Sequence, residues 1–225
     1  MNPKSTTKHN LLALKQLSDN LTSYFKVGSW WPSLSKDEII IGAVLTQNTT
    51  WKNVERSLEN LKVNNLLELK KLSKINKNKL TELIKPSGFY TQKSQTLIDI
   101  CKLIEQHASL QKFFELPLSK SRKELLSIKG VGPETADSIL LYSGNKPIFV
   151  VDNYTRRITK RFLGLGKELT YGELQESVHL ITKSVNKYKE LHGSFVELAK
   201  KHCKKEPLCD NCPINKSCSY FTKSN

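Results

Sequence analysis

The stretch Ser127-Ile-Lys-Gly-Val-Gly-Pro-Glu-Thr-Ala-Asp-Ser-Ile-Leu140 decides the fold. Before it, Arg122 to Ile128 carries apolar residues at helical spacing; Gly130, Val131 and Gly132 then interrupt the run. Pro133 follows at the first position of a new helix, where a missing N–H costs nothing. The stretch reads as a helix–hairpin–helix. Its two glycines let backbone N–H groups approach a phosphate with no Cβ in the way, and the next helix adds the positive end of its dipole. Such a hairpin grips a DNA backbone without reading its sequence. Taken alone, the triplet fits an ordinary helix-to-helix turn equally well.

Outward from the hairpin, the same helical spacing recurs almost everywhere. It is carried by Leu11, Leu12, Leu14 and Leu17, by Ile39, Ile40, Ala43 and Val44, and by Leu58 and Leu61. Segments 66–72, 79–84 and 92–105 continue it between Asn, Ser, Pro and Gly breaks. The expected class is all-α. Only Ile148 to Val151 is β-branched enough for a strand, and it is too isolated to pair. No internal repeat is visible.

The chain has 225 residues, enough for one large domain or two small ones. Lys and Arg number 36 against 21 Asp and Glu, a formal charge of +15, which suits nucleic acid but also an anionic membrane surface. The first ten residues are polar and unlike a secretory signal, and no run approaches the ~18 apolar residues of a membrane helix. A cytoplasmic, nucleoid-associated protein without membrane contact is expected. In that reducing setting, clustered cysteines are metal ligands before they are disulfides.

Four cysteines form such a cluster: Cys203, Cys209, Cys212 and Cys218, with gaps of five, two and five residues. Four thiolates so close in sequence can wrap one metal centre, either zinc or iron–sulfur. Zinc sites usually pair two short gaps, and this run has one. Cys101, inside the apolar pattern of Leu97, Ile100 and Ile104, reads instead as a small buried residue.

With these pieces placed, the chain resembles the endonuclease III family of helix–hairpin–helix DNA glycosylases along nearly its whole length. The matching residues are Gly42-Ala-Val-Leu-Thr-Gln-Asn-Thr49, Pro86-Ser-Gly-Phe-Tyr90, Lys129-Gly-Val-Gly-Pro-Glu-Thr-Ala136, Val150-Val-Asp152 and the four cysteines. All but the cysteines look most like the 3-methyladenine glycosylase branch. The resemblance implies a two-lobed all-α fold: residues 1–35 give a helix that joins the cluster lobe, 36–146 a six-helix lobe ending in the hairpin, and 147–225 the rest of the cluster lobe. It also implies a [4Fe–4S] cluster on the cysteines, which would position the basic loop of Lys204 and Lys205 against a phosphate.

Two departures stand out. In bifunctional members a lysine two residues beyond the hairpin forms a Schiff base with the sugar; here Glu134 occupies that place. Strand cleavage by that route is therefore not expected. The first cysteine gap is one residue shorter than usual, and the alkylation-type relatives lack the cluster.

The resemblance assigns the chemistry to Asp152. Breaking an N-glycosidic bond builds positive charge on the sugar, which a carboxylate stabilises while orienting the attacking water. The same residue is a natural cap for a helix starting at Asn153. Trp30, Trp31 and Trp51 are the only tryptophans, and Trp31 and Trp51 flank the segment ending in Gln47 and Asn48. An extruded base needs aromatic faces, and a cationic methylated purine gains further from indole. These tryptophans with Glu134 are the candidate base pocket, although tryptophans are also common core residues. In relatives a glutamine at position 47 fills the gap left by the flipped base, and an amide can pair with the orphaned partner.

The expected protein is thus a monomeric, monofunctional glycosylase acting on damaged bases in double-stranded DNA, with alkylated purine, chiefly 3-methyladenine, as substrate. Two enzyme alternatives are a thymine or uracil mismatch glycosylase and a bifunctional enzyme for oxidised pyrimidines using another lysine such as Lys129. A non-catalytic iron–sulfur DNA-binding module is the alternative of another class.

Overall fold

The computed structural model describes residues 3–28, 31 and 35–223, with side chains from residue 10 onward. In chain order its α-helices are α1 (Pro3–Tyr24), α2 (Lys36–Leu45), α3 (Trp51–Val63), α4 (Leu69–Leu72), α5 (Lys77–Leu83), α6 (Tyr90–Gln106) and α7 (Leu110–Glu115). They continue as α8 (Leu118–Leu126), α9 (Pro133–Ser138), α10 (Asn153–Leu163), α11 (Tyr171–Ile181), α12 (Val185–Lys201) and α13 (Ser219–Thr222). Among the described residues there is no strand, and no helix is long and apolar enough to cross a membrane. The chain divides into two compact units, Pro32–Lys146 and a second made of Met1–Trp31 with Pro147–Asn225.

The unit of Pro32–Lys146 is built around α2, whose residues from Ile39 to Leu45 are all buried. Ser35 starts this helix by accepting the Glu38 N–H at 3.2 Å, and Asp37 and Glu38 sit at its positive end. Asp37 also accepts the Leu69 N–H at 2.9 Å, fixing the start of α4. Segment 66–72 is helical only from Leu69, because Asn65 turns the chain with φ 57° before it. Helix α6 turns Leu97, Ile100, Cys101 and Ile104 inward. Burial pushes the Cys101 thiol up to about 12, so it behaves as the small apolar residue expected.

In the other unit, α1 packs on α10, α11 and α12 through the buried Leu14, Leu17 and Leu21. Leu12, part of the same apolar pattern, is 69 % exposed, because the other three leucines already take the inward face. Each fully buried leucine contributes roughly 1.5–3 kcal/mol. The run from Ile148 to Val151 is extended but belongs to no sheet. Side chains of α11 replace a partner strand: the Phe149 N–H donates to His179 Nε2 at 3.0 Å, and Gln175 Nε2 donates to the Phe149 carbonyl at 2.6 Å. This anchoring delivers the chain to Asp152 along a fixed path. A capping box between Thr170 and Glu173 fixes the start of α11.

Candidate functional site

In the unit of Pro32–Lys146, three loops meet at one edge, stitched by the half-buried Gln47 and the buried Thr96 and Lys93. Gln47 Nε2 donates to the Gly130 carbonyl at 2.9 Å and to Thr135 Oγ1 at 2.7 Å, joining the turn after α2 to the hairpin. Thr96 Oγ1 donates to the Lys129 carbonyl at 3.0 Å. Lys93 Nζ donates to the carbonyls of Leu45, at 2.9 Å, and Ser87, at 2.7 Å, joining the turn after α2 to the loop before α6. Sequence reasoning missed Lys93. Its signal was its position: with Leu97, Ile100 and Ile104 it forms a stripe at i, i+4, i+7 and i+11, so a cation stands on an apolar face. Desolvation lowers its pKa to about 8.

The hairpin glycines divide their labour. Gly130 has φ +92°, and a Cβ there would collide with Thr96 Oγ1. Gly132 has an ordinary extended φ of −91° and caps α9, with nothing within 4 Å of a Cβ. Only Gly130 is demanded by the fold; Gly132 keeps space open on the exposed side. Val131 between them is buried. Behind the hairpin, Arg122 on α8 grips the fully buried Asp137 on α9 with two bonds, Nε to Oδ1 at 2.7 Å and Nη2 to Oδ2 at 3.1 Å. Glu134 is exposed in the first turn of α9.

Gln47 is engaged with the hairpin here, while Asn48 is the turn residue in left-handed conformation, φ 50°. Phe89 is likewise left-handed, φ 46°, and 61 % exposed, an unusual position for a phenyl ring beside the same edge. Trp51 begins α3 and donates its indole N–H to Glu55 at 2.9 Å. Trp31, half-buried, belongs to the other unit, and Trp30 lies outside the described residues.

In the second unit, Asp152 caps α10. Its Oδ1 accepts both the Thr155 N–H and the Thr155 hydroxyl, each at 2.7 Å. Its Oδ2 lies 3.7 Å from Nε2 of the buried His192 on α12. The sequence reading anticipated the cap and missed the histidine.

One turn and two turns along α10, arginines reach the cysteine segment. Arg157 donates through Nε and Nη2 to the Cys203 carbonyl at 3.1 and 2.8 Å. Arg161 donates to the carbonyls of Lys204 and Lys205 at 2.6 and 2.8 Å and to Cys203 Sγ at 3.3 Å, its guanidinium 5.3 Å from the Tyr220 ring. The Lys204 and Lys205 side chains stay exposed. All four thiols line one pocket, with Ile158, Phe162, Leu198 and Ile214 as its apolar wall. Burial pushes the Cys209 and Cys212 thiols up, and the neighbouring thiols add to the effect. Among the described residues no group of three or more His, Cys, Asp or Glu is set to hold a single metal ion. The donor set, four sulfurs in an apolar pocket with one N–H···S donor, is of the chemical type that thiolate-bound centres use.

Residues 41–183 match the family described as HhH-GPD superfamily base excision DNA repair protein. A protein of Methanocaldococcus jannaschii named as a DNA repair glycosylase is 43 % identical over 202 residues, covering 88 % of this chain and 92 % of that one. The H. pylori 3-methyladenine DNA glycosylase MagIII, solved with 1,N6-ethenoadenine, is 34 % identical with a TM-score of 0.75, covering 83 % of this chain and 97 % of that one. Endonuclease III in a non-covalent DNA complex shares the fold at 21 % identity and a TM-score of 0.79, covering 95 % and 97 %. With hairpin, fold and relatives in agreement, the chain belongs to the HhH-GPD superfamily of base excision DNA repair proteins and is a DNA glycosylase.

Proposed function

We propose that the protein is a monofunctional glycosylase that removes an alkylated purine, such as 3-methyladenine, from double-stranded DNA, acting as a monomer. The observation that carries this reading is Glu134, an exposed carboxylate on the first helical turn beyond the hairpin, where bifunctional relatives carry a nucleophilic amine. The 34 % identity to an enzyme named for 3-methyladenine supports the substrate class.

The chemistry asks little of the protein. A methylated purine is already cationic, so when the N-glycosidic bond breaks it leaves with the bonding pair as a neutral base and needs no proton. Positive charge develops on the sugar, and the Asp152 carboxylate stabilises it. Water then bonds to C1′, its proton passing to the carboxylate or to solvent. Trp51 supplies an aromatic face for the extruded base. Gly130 and Gly132 present the hairpin backbone to a phosphate, and the exposed Phe89 is the apolar wedge this surface offers to the base stack. The four cysteines would hold a [4Fe–4S] cluster, whose part would be structural because the hydrolysis moves no electrons, and Arg161 ties the Lys204–Lys205 loop beside them.

The test is Asp152→Asn in a single-turnover assay on methylated duplex, with borohydride trapping run alongside. Base release is expected to fall on the order of 10²–10⁴-fold with DNA affinity kept, and no covalent adduct is expected. An active Asn variant, or a trapped adduct, overturns the proposal.

A further inference from the structure

His192 is buried on the inward stripe of α12 with Tyr188, Leu191 and Phe195, a place where the packing asks for an apolar residue. A polar ring so deep costs desolvation unless it serves a partner. One of its neighbours is the Asp152 carboxylate. The Phe149 ring meets it edge-on at 6.5 Å, and Asp152 Oδ2 lies 3.7 Å from Nε2. Burial lowers the imidazole pKa and the Asp152 charge pulls it partly back, so the ring is neutral at physiological pH.

The two carboxylate oxygens are treated differently. Oδ1 is committed to the Thr155 N–H and hydroxyl at the start of α10. Oδ2 has His192 as its close neighbour, at a distance too long for a hydrogen bond and too short for a water between them. Catalytic hydrogen bonds are commonly long in the free protein and tighten once substrate is bound.

We propose that His192 is the positioning residue for Asp152, donating Nε2–H to Oδ2 in the substrate complex and so fixing the plane of the carboxylate. Being neutral, the donor orients the carboxylate and leaves its negative charge for the developing sugar cation; a lysine or arginine at this place would cancel that charge. The proposal rests on Asp152 as the catalytic carboxylate and adds the group that aims it.

The experiment compares His192→Leu, His192→Gln and Asp152→Asn for single-turnover base release from methylated duplex, dissociation constant for that duplex, and thermal midpoint. His192→Leu is expected to slow release about 100-fold, the cost of misplacing a reacting group by around an ångström, with the dissociation constant unchanged. His192→Gln, whose amide N–H can reach the same oxygen, is expected to recover most of the rate. Release by His192→Leu at the wild-type rate overturns the proposal. So does a loss that follows the thermal midpoint and that glutamine does not restore, since a core residue without an aiming role behaves that way. Wild-type release by Asp152→Asn would instead remove the catalytic reading beneath it.

Discussion

In the proposed function, the hairpin edge and the Asp152 end of α10 meet opposite demands. The first must hold a polymer of unspecified sequence, and its working parts are backbone: a glycine with φ +92°, an open helix N-terminus, and loops tied by Gln47, Thr96 and Lys93 to one another's carbonyls. In the proposed mechanism the second stabilises one developing charge, and its working part is one side chain held by Thr155 and faced by His192. Damage to the first should appear as lost stability and grip; damage to the second as lost rate at constant grip.

The sharpest way to break that contrast lies behind the hairpin. Arg122→Met removes the cation that pairs with the fully buried Asp137 carboxylate and is expected to cost about 3–5 kcal/mol in urea unfolding. A loss under 1 kcal/mol would mean that the hairpin does not depend on this pair. Next, Gly130→Ala combines a left-handed backbone with a collision against Thr96 and should cost about 1–3 kcal/mol, together with affinity for undamaged duplex. Gly132→Ala, which has neither constraint, should leave the urea midpoint unchanged and weaken only DNA binding. Equal effects at the two glycines would contradict the division of labour between them.

Lys93 sharpens the comparison through pH. Its folded pKa of about 8 lies below its ordinary 10.5, so between these values the unfolded chain binds the extra proton. Stability from this group therefore rises as pH climbs from about 8 to 10.5, and its burial cost is fully present below 8. Raising pH from 7 to 9.5 should stabilise the wild type by about 2 kcal/mol more than Lys93→Met, as an order of magnitude. Parallel pH profiles would count against a buried cation.

On the other side, Cys212→Ser should remove iron and its visible absorbance while leaving the circular dichroism of the helices in place. Lost positioning of Lys204 and Lys205 should lower the salt dependence of DNA binding by about one or two units in log–log slope, since each phosphate contact contributes roughly 0.9. Wild-type protein purified without iron would refute the cluster, and unchanged iron in the variant would remove Cys212 from its ligands.

The hairpin was legible in the sequence because its parts are consecutive: two glycines, a proline and the flanking apolar runs state their geometry locally. The all-helical class followed from spacing in the same way. Lys93 and His192 were not, since each acts through a partner far along the chain and each sits on an apolar helical stripe where a core residue would normally stand. A polar residue breaking such a stripe is the signal that would have found both. The hydrogen bonds of Gln47 to Gly130 and Thr135 were hidden for a similar reason, since they become visible only once α2 and the hairpin are packed together. The start of α4 moved because the left-handed Asn65 outweighs the apolar residues after it.

The central claim, a glycosylase whose grip is backbone and whose chemistry is a single carboxylate without an amine nucleophile, is tested most directly by chromatography of bases released from methylated duplex, with strands analysed before and after alkali. Free 3-methyladenine, with strand breaks only after alkali, is the predicted result. Release of thymine, uracil or an oxidised pyrimidine in its place, or breaks formed without alkali, would contradict it.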